Sequence, residues 1–235
     1  MLVILGAVER ELLPLLEHLK QPKRISWQKR DFLKGFLFDK ETVVVITGVG
    51  LVNAAYSLTL LLPFRPIDWV LVTGCAGGIP KRGLEVGGVA VATAEILAEA
   101  GAYTESGWLS LKQINLPLIQ RKKGAIYHTF PVPPKAKRLF KDLPEGVRRG
   151  PFLTVSATTG SQGRLEELRR RFPRAICENM EGAAIAQICT LWRIPWFECR
   201  GISNIIGNYD KSKWQIDLAS YNAAQVILSL IKEIP

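Results

Sequence analysis

A-I-C-E-N-M-E-G-A-A-I-A-Q-I-C-T-L-W-R-I-P-W-F-E-C-R-G-I-S-N-I-I-G-N, residues 175–208, changes its hydrophobic period twice, and those changes decide the fold class. Residues 175–177 are a short apolar run. Residues 182–191, rich in Ala, Ile and Gln, have helical character, and Pro195 opens a second short run, Trp196 to Ile202, of strand type. The reading is strand, helix, strand. Glu178, Asn179 and Glu181 follow the first run, and Ser203 and Asn204 follow the second. Ligands of open α/β sheets sit beyond the carboxyl ends of strands, so the two polar clusters are expected to converge on one ligand.

The pattern recurs towards the amino end. Leu2 to Leu5 is continuously apolar and stops at Gly6, as an interior parallel strand does. Glu9, Arg10 and Glu11 lead into L-L-P-L-L-E-H-L, where apolar positions 12, 13, 15, 16 and 19 form one helical face. Proline is tolerated near a helix start, so Pro14 places Glu11 in the first turn. An acid there complements the helix dipole, which leaves a purely structural use of Glu9 or Glu11 open.

Residues 25–47 read as strands, and the chain turns helical from Gly50, with Gly48 and Gly50 permitting a tight turn. A dinucleotide-binding reading of this turn fails, because Asn53 replaces the third glycine and Asp68 precedes the next strand. Asp68 to Thr73 is another apolar strand. It leads into G-C-A-G-G at 74–78, whose small residues fit close approach of a ligand or a packing turn. Further strands are expected at 88–97 and 151–159, an outer pocket wall from the aromatic stretch Tyr103 to Trp108, and an amphipathic helix from Trp214. Residues 113–150 show little periodicity.

A chain of 235 residues without a Pro/Gly-rich linker suits one domain over 1–235. No apolar stretch reaches the roughly 18–20 residues of a membrane span, and no basic region precedes M-L-V-I-L-G, so a cytoplasmic protein without membrane contact is expected. Cys75, Cys177, Cys189 and Cys199 lack metal-ligand pairing and disulfide-scaffold density, as reduced, mostly buried thiols do. With His18 and His128 the only histidines, neither a multi-His metal site nor a Ser/His/Asp arrangement has support. No metal and no cofactor is expected. The net charge of +10, with basic clusters at 121–123, 135–141 and 169–171, leaves a nucleic-acid-binding protein as the non-enzymatic alternative. Glu166 and Glu167 offer i,i+3 and i,i+4 partners to the last cluster, and no nucleic-acid-reading motif is present, so no nucleic-acid partner is expected.

The motifs N-M-E-G-A-A at 179–184, R-G-I-S-N at 200–204, G-A-V-E-R-E at 6–11, T-G-V-G at 47–50 and T-G-C-A-G-G at 73–78 extend over nearly the whole chain. Through them it resembles the nucleoside phosphorylase and nucleosidase superfamily, which cleaves N-glycosidic bonds, and within it the futalosine hydrolases of menaquinone biosynthesis. The resemblance implies a three-layer α/β fold with a central mixed, largely parallel β-sheet flanked by helices. It also implies a homo-oligomer acting on a small-molecule purine nucleoside, here futalosine with hypoxanthine as the released base.

By the same resemblance Glu11 activates the hydrolytic water, and Glu181 holds the ribose and favours its developing positive charge. Met180 packs on the ribose, Gly77 meets the purine edge through its backbone, Arg200 orients the carboxylates, and Ser203 and Asn204 stand at the base. Ordinary uses remain open: a first-turn acid for Glu181, core filling for Met180, a turn cap for Asn204. The sequence departs from related nucleosidases at Cys75, where they carry serine, and at Asn204, where adenine-cleaving members carry aspartate. An amide cannot protonate the base, but its NH₂ suits N7 and O6 of a 6-oxopurine. No aromatic occurs at 156–161 to stack on that base. The alternatives within the family are a methylthioadenosine/S-adenosylhomocysteine nucleosidase and a purine nucleoside phosphorylase. Phosphorolysis needs a cationic phosphate clamp; the family's phosphorylases carry an arginine after the first strand, where this chain has Arg10 between Glu9 and Glu11.

Overall fold

The short apolar runs, buried on both faces, become the interior strands of one sheet. The computed structural model describes residues 1–122 and 124–234. β1 (Leu2–Gly6) and α1 (Glu9–Leu16) are followed by a ribbon of β2 (Lys20–Trp27), β3 (Arg30–Leu37) and β4 (Lys40–Ile46), then α2 (Leu51–Leu61) and β5 (Trp69–Gly78). The middle of the chain holds β6 (Val89–Leu97), the hairpin β7 (Gly101–Thr104) and β8 (Gly107–Ser110), the ladder β9 (Ile119–Gln120) and β10 (Ala125–Ile126), β11 (Thr129–Pro131) and α3 (Pro134–Lys137). β12 (Arg148–Thr154), α4 (Gln162–Arg171), β13 (Cys177–Asn179), α5 (Gly182–Trp192), β14 (Trp196–Ile205) and α6 (Ile216–Ile231) follow.

The main sheet runs β11-β6-β12-β13-β5-β1-β4-β3-β2, with β14 against β5 and β6. β1 is buried at every position between its parallel neighbours β4 and β5. Parallel pairing also joins β14 to β5 and β12 to β6 and β13. Antiparallel ladders join β2–β3–β4, β11–β6, β13–β5 and β14–β6, so the sheet is mixed. This is the mixed sheet that the resemblance implied, and its longest ladders, β14–β5 and β12–β6, are parallel. The long, glycine-ended β5 joins both kinds of pairing: Trp69 to Val72 pair with β1, whereas Gly77 and Gly78 pair antiparallel with β13. Its last residues therefore lie between β13 and β14.

Helices flank the sheet. α6 packs on β5, β14 and α1, while α2 and α5 form a second pair. On α6, Ala223, Ala224, Ile227, Leu230 and Ile231 are fully buried at helical spacing. Burying a side chain such as Ile227 is worth about 1.5–3 kcal/mol, so this helix is a structural wall of the molecule. All four cysteines are free, three of them buried. No helix among the described residues is long and apolar enough to cross a membrane.

Several boundaries shift from the expected ones. Pro14 is the sixth residue of α1, beyond the first turn, where it forfeits one i→i−4 bond, yet Glu11 does lie in that turn. Glu178 and Asn179 belong to β13 and Ser203 and Asn204 to β14, while β12 stops at Thr154, leaving 156–161 as a loop. On α4, Glu167 pairs with Arg164 at 2.7 Å and with Arg171 at 2.6 Å, which neutralises part of the basic surface. Lys123, in the cluster at 121–123, lies outside the described residues.

Candidate active site

Glu11, Gly77, Met180, Glu181, Ser203 and Asn204 all line one cavity of about 360 Å³. Sequence separation is overcome by topology: β1, β5, β13 and β14 are neighbours, and each delivers a motif to the same place.

Glu11 is 3 % exposed. Its Oε2 accepts the Ala7 N–H at 2.9 Å and the Val8 N–H at 3.3 Å, and its Oε1 accepts the Cys75 N–H at 2.8 Å. The helix-start use and the cavity position therefore coexist in one side chain. Gly74 allows this approach: its φ is +138°, and a Cβ there would come within 2.7 Å of the Glu11 carboxylate. A carboxylate has about four lone-pair sites, so Glu11 keeps capacity for a water after three backbone bonds. Burial pushes the neighbouring Cys75 thiol up, with the Glu11 charge adding to the effect.

Glu181 accepts the Gly50 N–H at 2.9 Å, with Gly50 at φ +95°, and meets Arg200 Nη2 at 3.4 Å. Burial pushes its carboxyl above the ordinary value, against the pull of the Arg200 charge and the Gly50 N–H. Asn179 Oδ1 accepts the N–H groups of Glu181 at 3.0 Å and Gly182 at 2.8 Å, which fixes the start of α5 under the cavity floor.

Behind this floor lies a layer of charge that the motifs do not reveal. Asn179 donates to Glu95 Oε1 at 2.7 Å and Thr154 to Glu95 Oε2 at 2.6 Å, and Arg200 Nε donates to Glu198 Oε1 at 2.8 Å. Burial, and then the adjacent Glu198, raise the Glu95 carboxyl well above its ordinary value. Arg200 is 1 % exposed and does not line the cavity; it acts there through Glu181. The available signal for Glu95 was a lone acid inside the mostly apolar β6, whereas Glu198 carried no such mark because β14 also holds Arg200, Ser203 and Asn204.

At the opposite wall, Gly77 of β5 stands between Glu178 of β13 and Asn204 of β14 in register. The Ser203 hydroxyl has two acceptors in reach, Asn204 Oδ1 at 2.7 Å and Ala76 O at 3.3 Å, and the shorter bond leaves the Asn204 NH₂ for a ligand. Glu178 also lines the cavity, accepting from the N–H and Oγ1 of Thr159 at 2.7 and 2.6 Å.

Tyr103 to Trp108 does not line the cavity. It forms the β7–β8 hairpin, where the Tyr103 hydroxyl donates to Glu167 at 2.9 Å and Trp108 packs edge-on against Phe172 and His128 beneath Arg171. The aromatic lining comes instead from Tyr209 and Trp214, in T-shaped contact with centroids 5.9 Å apart, and the Tyr209 N–H reaches Gly160 O at 3.2 Å. Their signal was the run N-Y-D-K-S-K-W directly after the second polar cluster. Arg10 is held by Asp217 of α6 at 2.6 Å, outside the cavity, and Lys211 is the single Lys or Arg among the described lining residues. Among the described residues no group of three or more His, Cys, Asp or Glu is placed to hold a metal ion.

A model of the Phosphorylase superfamily matches residues 1–232. The 5′-methylthioadenosine/S-adenosylhomocysteine nucleosidase of Staphylococcus carnosus is 28% identical over 237 residues, covering 100% of both chains. Among solved structures, the nucleosidase of the same type from Colwellia psychrerythraea, in complex with adenine, is similar with a TM-score of 0.83 and 25% identity over 99% of this chain and 95% of that one. Futalosine hydrolase of Helicobacter pylori shares the fold with a TM-score of 0.83 at 22% identity, covering 99% of this chain and 97% of its own.

Proposed function

The chain belongs to the Phosphorylase superfamily, and from that premise we propose that it is a nucleosidase, hydrolysing the N-glycosidic bond of a purine nucleoside. The observation that carries this reading is the pair of buried carboxylates, Glu11 and Glu181, in one cavity. Cleavage builds positive charge on the ribose, which Glu181 stabilises electrostatically while holding the sugar hydroxyls over Met180. Glu11 accepts the proton of the attacking water. Arg200 is a positioning residue: it meets Glu181 and supplies a countercharge that opposes the upward pull of burial on that acid.

Phosphorolysis is the less supported chemistry, because it needs cations around the phosphate. Arg10 is engaged by Asp217, and Arg200 lies behind the floor between Glu181 and Glu198.

Two readings of the substrate have support. The names of the curated relatives favour the methylthioadenosine/S-adenosylhomocysteine type. The site chemistry favours a 6-oxopurine, because Asn204, with its oxygen accepting from Ser203, has its NH₂ for N7 and O6, which are both acceptors. We adopt the second reading, with futalosine as the substrate; its 5′ tail, an aromatic acid, fits Tyr209 and Trp214 beside the Lys211 cation. Exposed Val52 and Tyr56 on α2 with Leu191 and Trp192 on α5 support a homo-oligomer.

The test incubates the purified protein with futalosine, inosine and methylthioadenosine, each with and without phosphate. Free base and free sugar at rates independent of phosphate support hydrolysis. A sugar 1-phosphate formed only when phosphate is present refutes it.

A further inference from the structure

We propose that Glu178 is a second reader of the purine, accepting the N1–H of a 6-oxopurine while Asn204 donates to O6. This rests on the 6-oxopurine reading above and extends it to a residue outside the motifs that carry the family likeness.

The placement follows from strand register. Gly77 is directly opposite Glu178 on one side and Asn204 on the other. Residues opposite each other in paired strands point to the same sheet face, and neighbouring strands lie about 4.8 Å apart, so the two side chains rise on either side of a glycine. A Cβ at Gly77 would clash with Ile206 Cγ2 and lie 3.4 Å from Glu178 Cγ and 3.6 Å from Asn204 Nδ2, so Ile206 covers the glycine and the two polar side chains flank that apolar patch. All three residues line the cavity.

One wall thus presents an amide donor and a carboxylate acceptor. A 6-oxopurine offers the complement along one edge, the acceptor O6 next to the donor N1–H. A 6-aminopurine offers the reverse, a donor at position 6 next to the acceptor N1. Asparagine alone accommodates either by turning its amide over, and Ser203 does not prevent it, because its hydroxyl can donate to Ala76 O at 3.3 Å and accept from the amide. The discrimination therefore has to come from a neighbour that cannot turn over. Burial raises the Glu178 carboxyl above its ordinary value, and while it is ionised it has no donor form.

Thr159 supplies the remaining constraint. Its N–H, a backbone donor on this wall that would otherwise suit N1 of a 6-aminopurine, is taken by Glu178 Oε1 at 2.7 Å, and its hydroxyl by Oε2 at 2.6 Å. Each carboxylate oxygen keeps a second lone pair. Glu178 is 3 % exposed, and both of these donors are neutral. A buried carboxylate held only by neutral groups gains from a further donor, which the N1–H of the base provides.

The test is Glu178→Gln, assayed on matched 6-oxo and 6-amino nucleosides carrying the same 5′ group. Gln keeps the ties to Thr159, its Oε1 accepting the N–H and its NH₂ donating to Thr159 Oγ1, but the second amide proton replaces an outward lone pair. The expected result is a fall of about 10–100-fold in kcat/KM for the 6-oxo substrate, with the 6-amino substrate unchanged or improved. An equal fall on both substrates, as a merely structural tie would give, overturns the proposal, and so does no change on either. If wild type itself prefers the 6-amino substrate, the substrate reading fails; if wild type prefers the 6-oxo substrate and the variant keeps that preference, the role of Glu178 alone fails. Should the variant not fold, calorimetry on wild type with hypoxanthine and 1-methylhypoxanthine decides. Binding at least about tenfold weaker for the methylated base supports the N1–H contact, and equal binding overturns it.

Discussion

Replacing Glu11 by Gln removes the proton acceptor and also disturbs a built site, and the two effects are separable. Both carboxylate oxygens accept backbone N–H groups, Oε1 from Cys75 and Oε2 from Ala7 and Val8. An amide has one oxygen, so its NH₂ must face at least one of these donors. The less costly orientation turns the oxygen to Ala7 and Val8 and leaves the Cys75 N–H unpaired, which costs about 1–3 kcal/mol. For a domain of this size each kcal/mol lowers Tm by about 2–4 °C. Loss of the general base lowers kcat by about 10²–10⁴-fold. The assay pairs single-turnover release of the free base with thermal unfolding of the same sample, and calorimetry checks that the base still binds. A variant that unfolds a few degrees earlier, binds the base and turns over at near wild-type rate would refute the assignment of Glu11.

Two further outcomes follow from the packing and the charges. Gly201→Ala places a methyl group on the carbonyl of Ala219 in α6, an overpacking that costs about 1–3 kcal/mol or more, so a thermal midpoint equal to wild type contradicts the contact. Catalysis needs Glu181 ionised, and burial raises its carboxyl above the ordinary carboxylate value. Activity is therefore full above that raised value and is lost as pH falls through it, so the acid limb of kcat/KM lies above pH 4.5. A profile that stays flat down to that pH removes Glu181 from the rate-determining ionisations.

The parts of the fold legible in the sequence are those written in local period. Leu2 to Gly6, Gly182 to Trp192 and Ile216 to Ile231 became the strand and helices that their apolar spacing indicated. The cavity residues in motifs were legible because glycines and acids cluster where strands end. Pairing between distant strands has no local signature, and so the antiparallel seam between β13 and β5, which sets Glu178 beside Gly77, was not readable. Tyr103 to Trp108 looked like a pocket wall from composition, but Arg171, Phe172 and His128 give Trp108 a closer partner set under α4. Tyr209 lines the cavity where its backbone N–H bonds Gly160, a contact between two loops far apart in sequence. The meeting of Glu95 and Glu198 was not readable for a related reason: it depends on β6 and β14 being neighbours.

The central claim, hydrolysis selective for a 6-oxopurine base, is tested most directly by chromatography of the free base released from matched 6-oxo and 6-amino nucleosides by wild type and by Asn204→Asp. A mismatch of buried hydrogen-bonding groups costs on the order of 1–3 kcal/mol, so wild type is predicted to release hypoxanthine about 10–100-fold faster than adenine, and Asn204→Asp to narrow or reverse that preference. Equal release of hypoxanthine and adenine by the wild type would contradict it.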